Sequence, residues 1–341
     1  MNQLRSLPTA GHAGKRVPAA SGVVSLVVCV LALSLSITGA SSGGSARVRP
    51  QIPIQTLKGK ILFTRAGGKF GDETVFTATA SGRHVRRITG FGKTCCPRWA
   101  PDGNHILIGA QASDGRITTG IVNRDGSHRH KVPLPEGKLN LGCAQAWSAK
   151  AGRMACEGWD DTDSGGNGVY TMSEPGGGDL VRVTHSPGGH HDLPMDFSPD
   201  GSRIYFLREA SRSLFVVNAD GSDLHRVTPA RMAVDVVGNA GGRLSPDGRS
   251  IIFTNKGTIW MIGSDGSGLK KVFQDVKGRI AITSTWSPDG RLILFGLDPR
   301  GSTPNIRHPA PNALYVITAH GTKLTRLLAS ADWKREPDWT R

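Results

Sequence analysis

No apolar run in this 341-residue chain is long enough to cross a bilayer. The clearest, residues 23–37, has 15 positions, short of the roughly 20 that a spanning helix needs. Ser25, Ser34 and Ser36 weaken it further. Acidic residues are missing from the first 40 positions, where Arg5, Lys15 and Arg16 make a basic start and Thr38-Gly39-Ala40 supplies small residues. These features predict an export signal over residues 1–40, cleaved near Ala40. Ala46 is a second site, and an uncleaved anchor is the alternative. No small residue precedes Cys29, which argues against a lipoprotein. A hydrolase nucleophile motif is lacking too. The Gly-x-Ser-x-Gly match, Gly39-Ala40-Ser41-Ser42-Gly43, falls in the cleavage zone without the strand-to-helix context that the motif requires.

Acidic residues are also scarce overall, 27 against 42 basic, for a net charge of +15. Removing residues 1–40 takes away three basic residues and leaves about +12. An exported chain of this charge excludes nucleic acid as its natural partner and suits cell-wall polyanions or anionic lipid surfaces. Of the five cysteines, four follow the signal: Cys95, Cys96, Cys143 and Cys156. An oxidising compartment can pair them.

What is abundant is repetition. Trp286-Ser287-Pro288-Asp289-Gly290 precedes the apolar run Leu292-Ile293-Leu294-Phe295. Leu244-Ser245-Pro246-Asp247-Gly248, Phe197-Ser198-Pro199-Asp200-Gly201 and Trp99-Ala100-Pro101-Asp102-Gly103 do the same. Trp147-Ser148 opens a degenerate copy, and Pro337-Asp338-Trp339-Thr340 a truncated one. The spacings between these starts run from 42 to 53 residues, the signature of a repeat architecture. Each unit reads as four short strands, A to D, with the aromatic on A. In the unit beginning at Phe197 the later strands fall at 203–208, 213–218 and 224–228. Ser-Pro-Asp-Gly makes the A–B turn: Pro presets φ, Asp bonds back to the backbone, and Gly takes the left-handed position. Asp-Gly at 220–221 and 265–266 makes the C–D turn. The first unit, 60–64, 74–79 and 85–89, lacks strand A, and the orphan strand at 336–340 supplies it. The expected fold is all-β: a six-bladed β-propeller of four-stranded antiparallel blades over residues 56–341, with 41–55 as linker.

The repeated Trp/Phe-Ser-Pro-Asp-Gly phrase and the Asp-Gly turn resemble the TolB-like β-propeller family. So do the Arg-Val-Thr or Arg-Ile-Thr segments at 87–89, 182–184 and 226–228. The resemblance covers about residues 56 to 341. TolB carries a separate α/β domain ahead of its propeller, for which the stretch between the signal and Lys60 leaves no room. Only the propeller is therefore implied, as a binding platform, and no ligand is named.

In a propeller the A–B and C–D turns share one face, and the B–C and D–A loops share the other. The regular turns read as scaffold. The irregular face is where function is expected. Its richest part belongs to the third unit: Glu157-Gly158-Trp159-Asp160-Asp161-Thr162-Asp163-Ser164-Gly165-Gly166-Asn167, and His185 to Asp192 after it. Trp159, Asp160, Asp161, Asp163, His190, His191 and Asp192 are the candidate ligand-binding residues. Asp160, Asp161 and Asp163 are hard oxygen donors suited to Ca²⁺, and His190, His191 and Asp192 to a transition metal such as Mn²⁺ or Zn²⁺. Against a metal, the acidic order departs from the twelve-residue Ca²⁺ loop, and adjacent histidines on a strand point to opposite faces. Folding the third unit's hairpin about Lys150 brings Cys143 near Cys156, which favours that disulfide among the three pairings and leaves Cys95 and Cys96 as thiols or joined. Arg86, Arg87, Arg182, Arg226, Lys270, Lys271 and Arg326 fall on D strands, as a polyanion-binding ring or as charges that deter edge pairing. The function expected is an exported, monomeric, non-catalytic platform for an envelope protein, glycan or polyanion, secreted or periplasmic, touching membrane only through an uncleaved N-terminus. The alternative is a metal-assisted hydrolase or lyase on the third blade's irregular face, with His190 or His191 as base.

Overall fold

The computed structural model describes residues 51–66, 73–88, 96–142, 144–174, 176–236, 241–300 and 311–341. The expected export signal, Cys95 and Cys143 lie outside the described residues. Among the described residues no helix is long and apolar enough to cross a membrane.

Six small antiparallel sheets form a β-propeller. Blade 1 takes strands B to D from Lys60–Ala66, Glu73–Thr79 and Arg86–Ile88, and strand A from the C-terminal Trp333–Thr340. The closing register runs from Lys60 opposite Thr340 to Ala66 opposite Trp333, with one irregularity between Leu62 and Thr64. Blade 2 comprises Arg98–Trp99, His105–Gln111, Ile117–Asn123 and His130–Lys131. Blade 4 comprises Asp192–Phe197, Arg203–Arg208, Ser213–Asn218 and His225–Arg226. Blades 5 and 6 follow from Gly242–Leu244 and Ile280–Trp286 in the same order. Blade 3 departs from the pattern. Its strand A is split into Asn140–Leu141 and Ala146–Ser148, both paired with strand B at Arg153–Trp159.

The turns behave as their chemistry dictates. Asp200 Oδ1 accepts from Ser198 Oγ (2.5 Å) and Ser202 N (3.1 Å), while Gly201 takes φ 77°. The Asp247 and Asp289 turns repeat the arrangement. The core lies between blades. Leu244 packs with Met195, Leu207 and Val216 across one junction, and Trp286 with Ile252, Met261 and Phe295 across the next. At the closure Trp339 packs with Ile61, Phe63 and Leu314, and its Nε1 donates to Lys58 O (3.1 Å). Packing begins upstream of the first strand: Ile52 is buried there and its amide donates to Thr325 Oγ1 (2.9 Å).

The expected Cys143–Cys156 pairing involves Cys143, outside the described residues. Cys156 is buried between blades 2 and 3, beside Leu107, Met154 and Tyr170. The hairpin register matches Ala155 with Ala146 and Gly158 with Leu141, so Cys156 lies across the stretch where strand A is interrupted. Cys96 is disulfide-bonded.

Candidate functional site

The third blade's B–C loop and the D–A loop after it meet, as the topology requires. Asn167 is buried and its Nδ2 donates to Gly189 O (3.1 Å) and His190 O (3.2 Å), tying the two loops together. Tyr170 Oη donates to Gly166 O (2.7 Å). Gly158 has to be glycine, since a Cβ there would lie 2.3 Å from the Tyr170 ring.

On this frame the expected residues take different roles. Trp159 is half-buried; its Nε1 donates to Asp161 Oδ1 (3.2 Å), and its ring meets His191 edge-on at 5.9 Å. His191 Nδ1 pairs with Glu157 Oε1. That hydrogen bond raises the imidazole's pKa, outweighing the opposite pull of burial. Asp160 Oδ1 accepts from Thr162 N and Oγ1 (both 2.7 Å), and the hydroxyl bond holds the carboxyl below its ordinary range. Asp163 Oδ1 accepts from Gly165 N (2.8 Å). His190 is exposed at the loop's end.

Asp192 does not belong to the surface at all. It is fully buried and held by Arg208 Nε (2.9 Å) and Nη2 (2.8 Å) as well as by Thr184 Oγ1 (2.7 Å). Expected as a ligand-binding residue, it sits in blade 4 opposite Arg208 in the strand register. Asp160, Asp161 and Asp163 each serve a separate local bond and do not converge. Among the described residues no group of three or more His, Cys, Asp or Glu is arranged to hold a metal ion. What the loop does border is a cavity of about 290 Å³ shared with blade 2, lined by Asp114, Arg116, Lys138, Asn140, Asp160 and Asp161.

A larger cavity, about 640 Å³, opens on the opposite face, where the Ser-Pro-Asp-Gly turns surround the central channel. Pro101, Pro199, Pro246 and Pro288 line it, with Trp99, Trp147, Phe197 and Trp339 around them. Its floor carries charge. Arg98 Nη2 donates to Asp196 Oδ1 (2.6 Å), and Arg98 Nε lies 3.8 Å from Asp338 Oδ2. Asp196 Oδ2 also accepts from Leu244 N, and Asp338 Oδ2 from Trp99 N, so these carboxylates stitch neighbouring blades. Burial pushes the Asp196 carboxyl up to about 6, and Arg98 opposes this only in part. No single repeat unit marks this channel, which forms only where the six units meet. Its signal was present as charged residues immediately before the aromatic or Leu of strand A: Arg98, Asp196, Arg243 and Asp338.

The fold and closure define the class as a six-bladed β-propeller, the fold also seen in TolB. TolB from Acinetobacter baumannii superposes with a TM-score of 0.64 at 17% identity, covering 82% of this chain and 66% of that one. A TolB-type protein of Agrobacterium tumefaciens gives 0.58 at 16% identity, covering 84% and 99%. Hydrazine synthase of Kuenenia stuttgartiensis gives 0.60 at 14%, with 83% of this chain and 46% of that one covered. At these identities the likeness is one of fold. No family model matches the chain, and no curated relative matches it.

Proposed function

We propose that the chain is an exported, non-catalytic binding platform of the cell envelope, contacting a protein or glycan through the irregular face of blade 3. The carrying observation is Trp159, a half-exposed indole fixed by Asp161 and His191 beside a polar cavity. Fixed aromatic surface flanked by satisfied polar groups favours recognition, because little side-chain freedom is lost on binding. The neighbouring ionisable groups support the same reading: Glu157 and His191 hold each other, and Asp192 is locked to Arg208. Export rests on the basic, acid-free N-terminus with its short apolar stretch, and the disulfide at Cys96 suits an oxidising compartment.

The test is recovery of partners from envelope extracts by the wild type and a Trp159→Ala, His191→Ala double variant. Loss of partners with the variant, at unchanged melting temperature, supports this face. Equal recovery moves the site elsewhere. The exposed Arg86, Arg87, Arg226, Lys270, Lys271 and Arg326 on the outermost strands provide a second, salt-sensitive contact for polyanions. Polyanion retention that persists unchanged in high salt would rule out that contact.

A further inference from the structure

One residue of each strand A stands immediately before the aromatic or Leu position. In blade order these are Asp338, Arg98, Ala146, Asp196, Arg243 and Thr285. The order is acid, base, small, then acid, base, small, so the ring nearly repeats itself after three blades. One half is closed. Arg98, 7% exposed, runs from blade 2 to blade 4 and donates to Asp196 Oδ1 (2.6 Å) and Met195 O (3.0 Å).

Arg243 holds the place of Arg98 in the other half and is 4% exposed. By the same geometry its acceptor would be Asp338, two blades on. Both oxygens of Asp338 are engaged: Oδ2 by Trp99 N (2.8 Å), Oδ1 by Thr285 Oγ1 (3.3 Å). Thr285 stands where the first half has Ala146, and its hydroxyl donates to the Asp338 oxygen equivalent to the one that Arg98 engages on Asp196. Arg243 Nε and Nη1 are buried with no hydrogen-bond partner among the described residues. A guanidinium does not shed its proton on burial, and buried N–H donors left without acceptors are unfavourable.

We propose that the channel binds a carboxylate at Arg243, standing to it as Asp196 stands to Arg98. The planar guanidinium fork matches a carboxylate through two parallel bonds. Asp196 and Asp338 nearby disfavour a dianion such as phosphate through like-charge repulsion. The proline-lined cavity is bounded by Arg98, Asp196 and Asp338 of the same ring, and reaches blade 5 at Leu244 and Ser245. This site is separate from the blade 3 surface and does not depend on that reading.

The experiment is thermal unfolding of the full chain at neutral pH and constant ionic strength, with sodium acetate replacing sodium chloride. Wild type is expected to show a saturable rise in Tm with acetate and a smaller one with phosphate. Arg243→Met removes the acetate response and, having lost buried donors without acceptors, melts no lower than wild type. Thr285→Ala releases Asp338 to Arg243 and also removes the response, with the charge retained. Should Arg243→Met fail to fold, Arg243→Lys, which keeps the charge without the fork, is expected to weaken apparent acetate affinity about tenfold. No response in wild type, the same response in the variants, or equal responses to acetate and phosphate overturns the proposal.

Discussion

Asp192 and Asp200 show how little a residue's identity says about its use. Both are aspartates near a strand end. Asp200 stays exposed, and the Ser198 hydroxyl holds its carboxyl down to about 2. Asp192 is sealed in the core against Arg208. The turn role of Asp200 was legible because Ser-Pro-Asp-Gly is local chemistry, complete within five residues. The role of Asp192 was not, because its partners lie 16 and 8 residues away and meet it only across strands. Replacing Asp192 with Ala leaves the Arg208 charge without its partner, so a loss of about 3–5 kcal/mol is expected in chemical denaturation. A loss below about 1 kcal/mol would place this pair among weak surface bridges instead. At position 159 the opposite holds: Trp159→Ala should change stability little and partner recovery strongly, as measured by melting and pull-down side by side.

At the scale of the element, strand A carries most of the individuality. Its period and its aromatic were readable in the sequence, and so was the orphan copy at the C-terminus. The strand at 333–340 proved longer than the 336–340 expected, because Trp333, Lys334 and Arg335 continue the ladder beyond the irregularity between Leu62 and Thr64. Trp339→Ala removes the closing side chain from a cluster formed by the first and last blades. It is expected to cost about 3–5 kcal/mol and to lower Tm accordingly. A cost near that of an exposed Trp would mean that the ring closes without it. The split strand A of blade 3 was foreshadowed by Ala149-Lys150 in place of Pro-Asp, yet the break at 142–145 arises in pairing. Cys156 lies opposite that break, and its expected partner Cys143 lies outside the described residues.

For the whole molecule, buried acids give a pH signature. Asp196 lies in the channel, and Asp298 is held by Asn312 Nδ2 (2.7 Å) and Trp333 Nε1 (3.2 Å) at the closure. Burial pushes both carboxyls up to about 6. A group with a raised pKa binds its proton more tightly in the folded state. The stability this confers is full below the unfolded value near 4 and is lost as pH rises through 6. Wild type should therefore lose stability between pH 4 and 6, by at most roughly 3 kcal/mol per group. Asp196→Asn and Asp298→Asn should each flatten the slope. Denaturant midpoints across that interval check it, and parallel curves for all three proteins would refute the assignment. Lys334, whose pKa burial lowers to about 8, acts at the alkaline end: its ammonium charge is disfavoured in the fold, so stability rises from pH 8 toward 10.

The blade count, the turn types, the order of strands and the closure by the last strand were all legible in the residues. Each of these follows from short-range chemistry repeated at a regular interval. Which charges meet is set by folding. Arg98, Asp196, Arg243 and Asp338 are far apart in the chain and come together because closing the ring brings equivalent positions of all six blades around one axis. Identical turns placed them there. Their differing side chains, and the substitution of Thr285 for the small residue opposite, decide which of them finds a partner inside the protein.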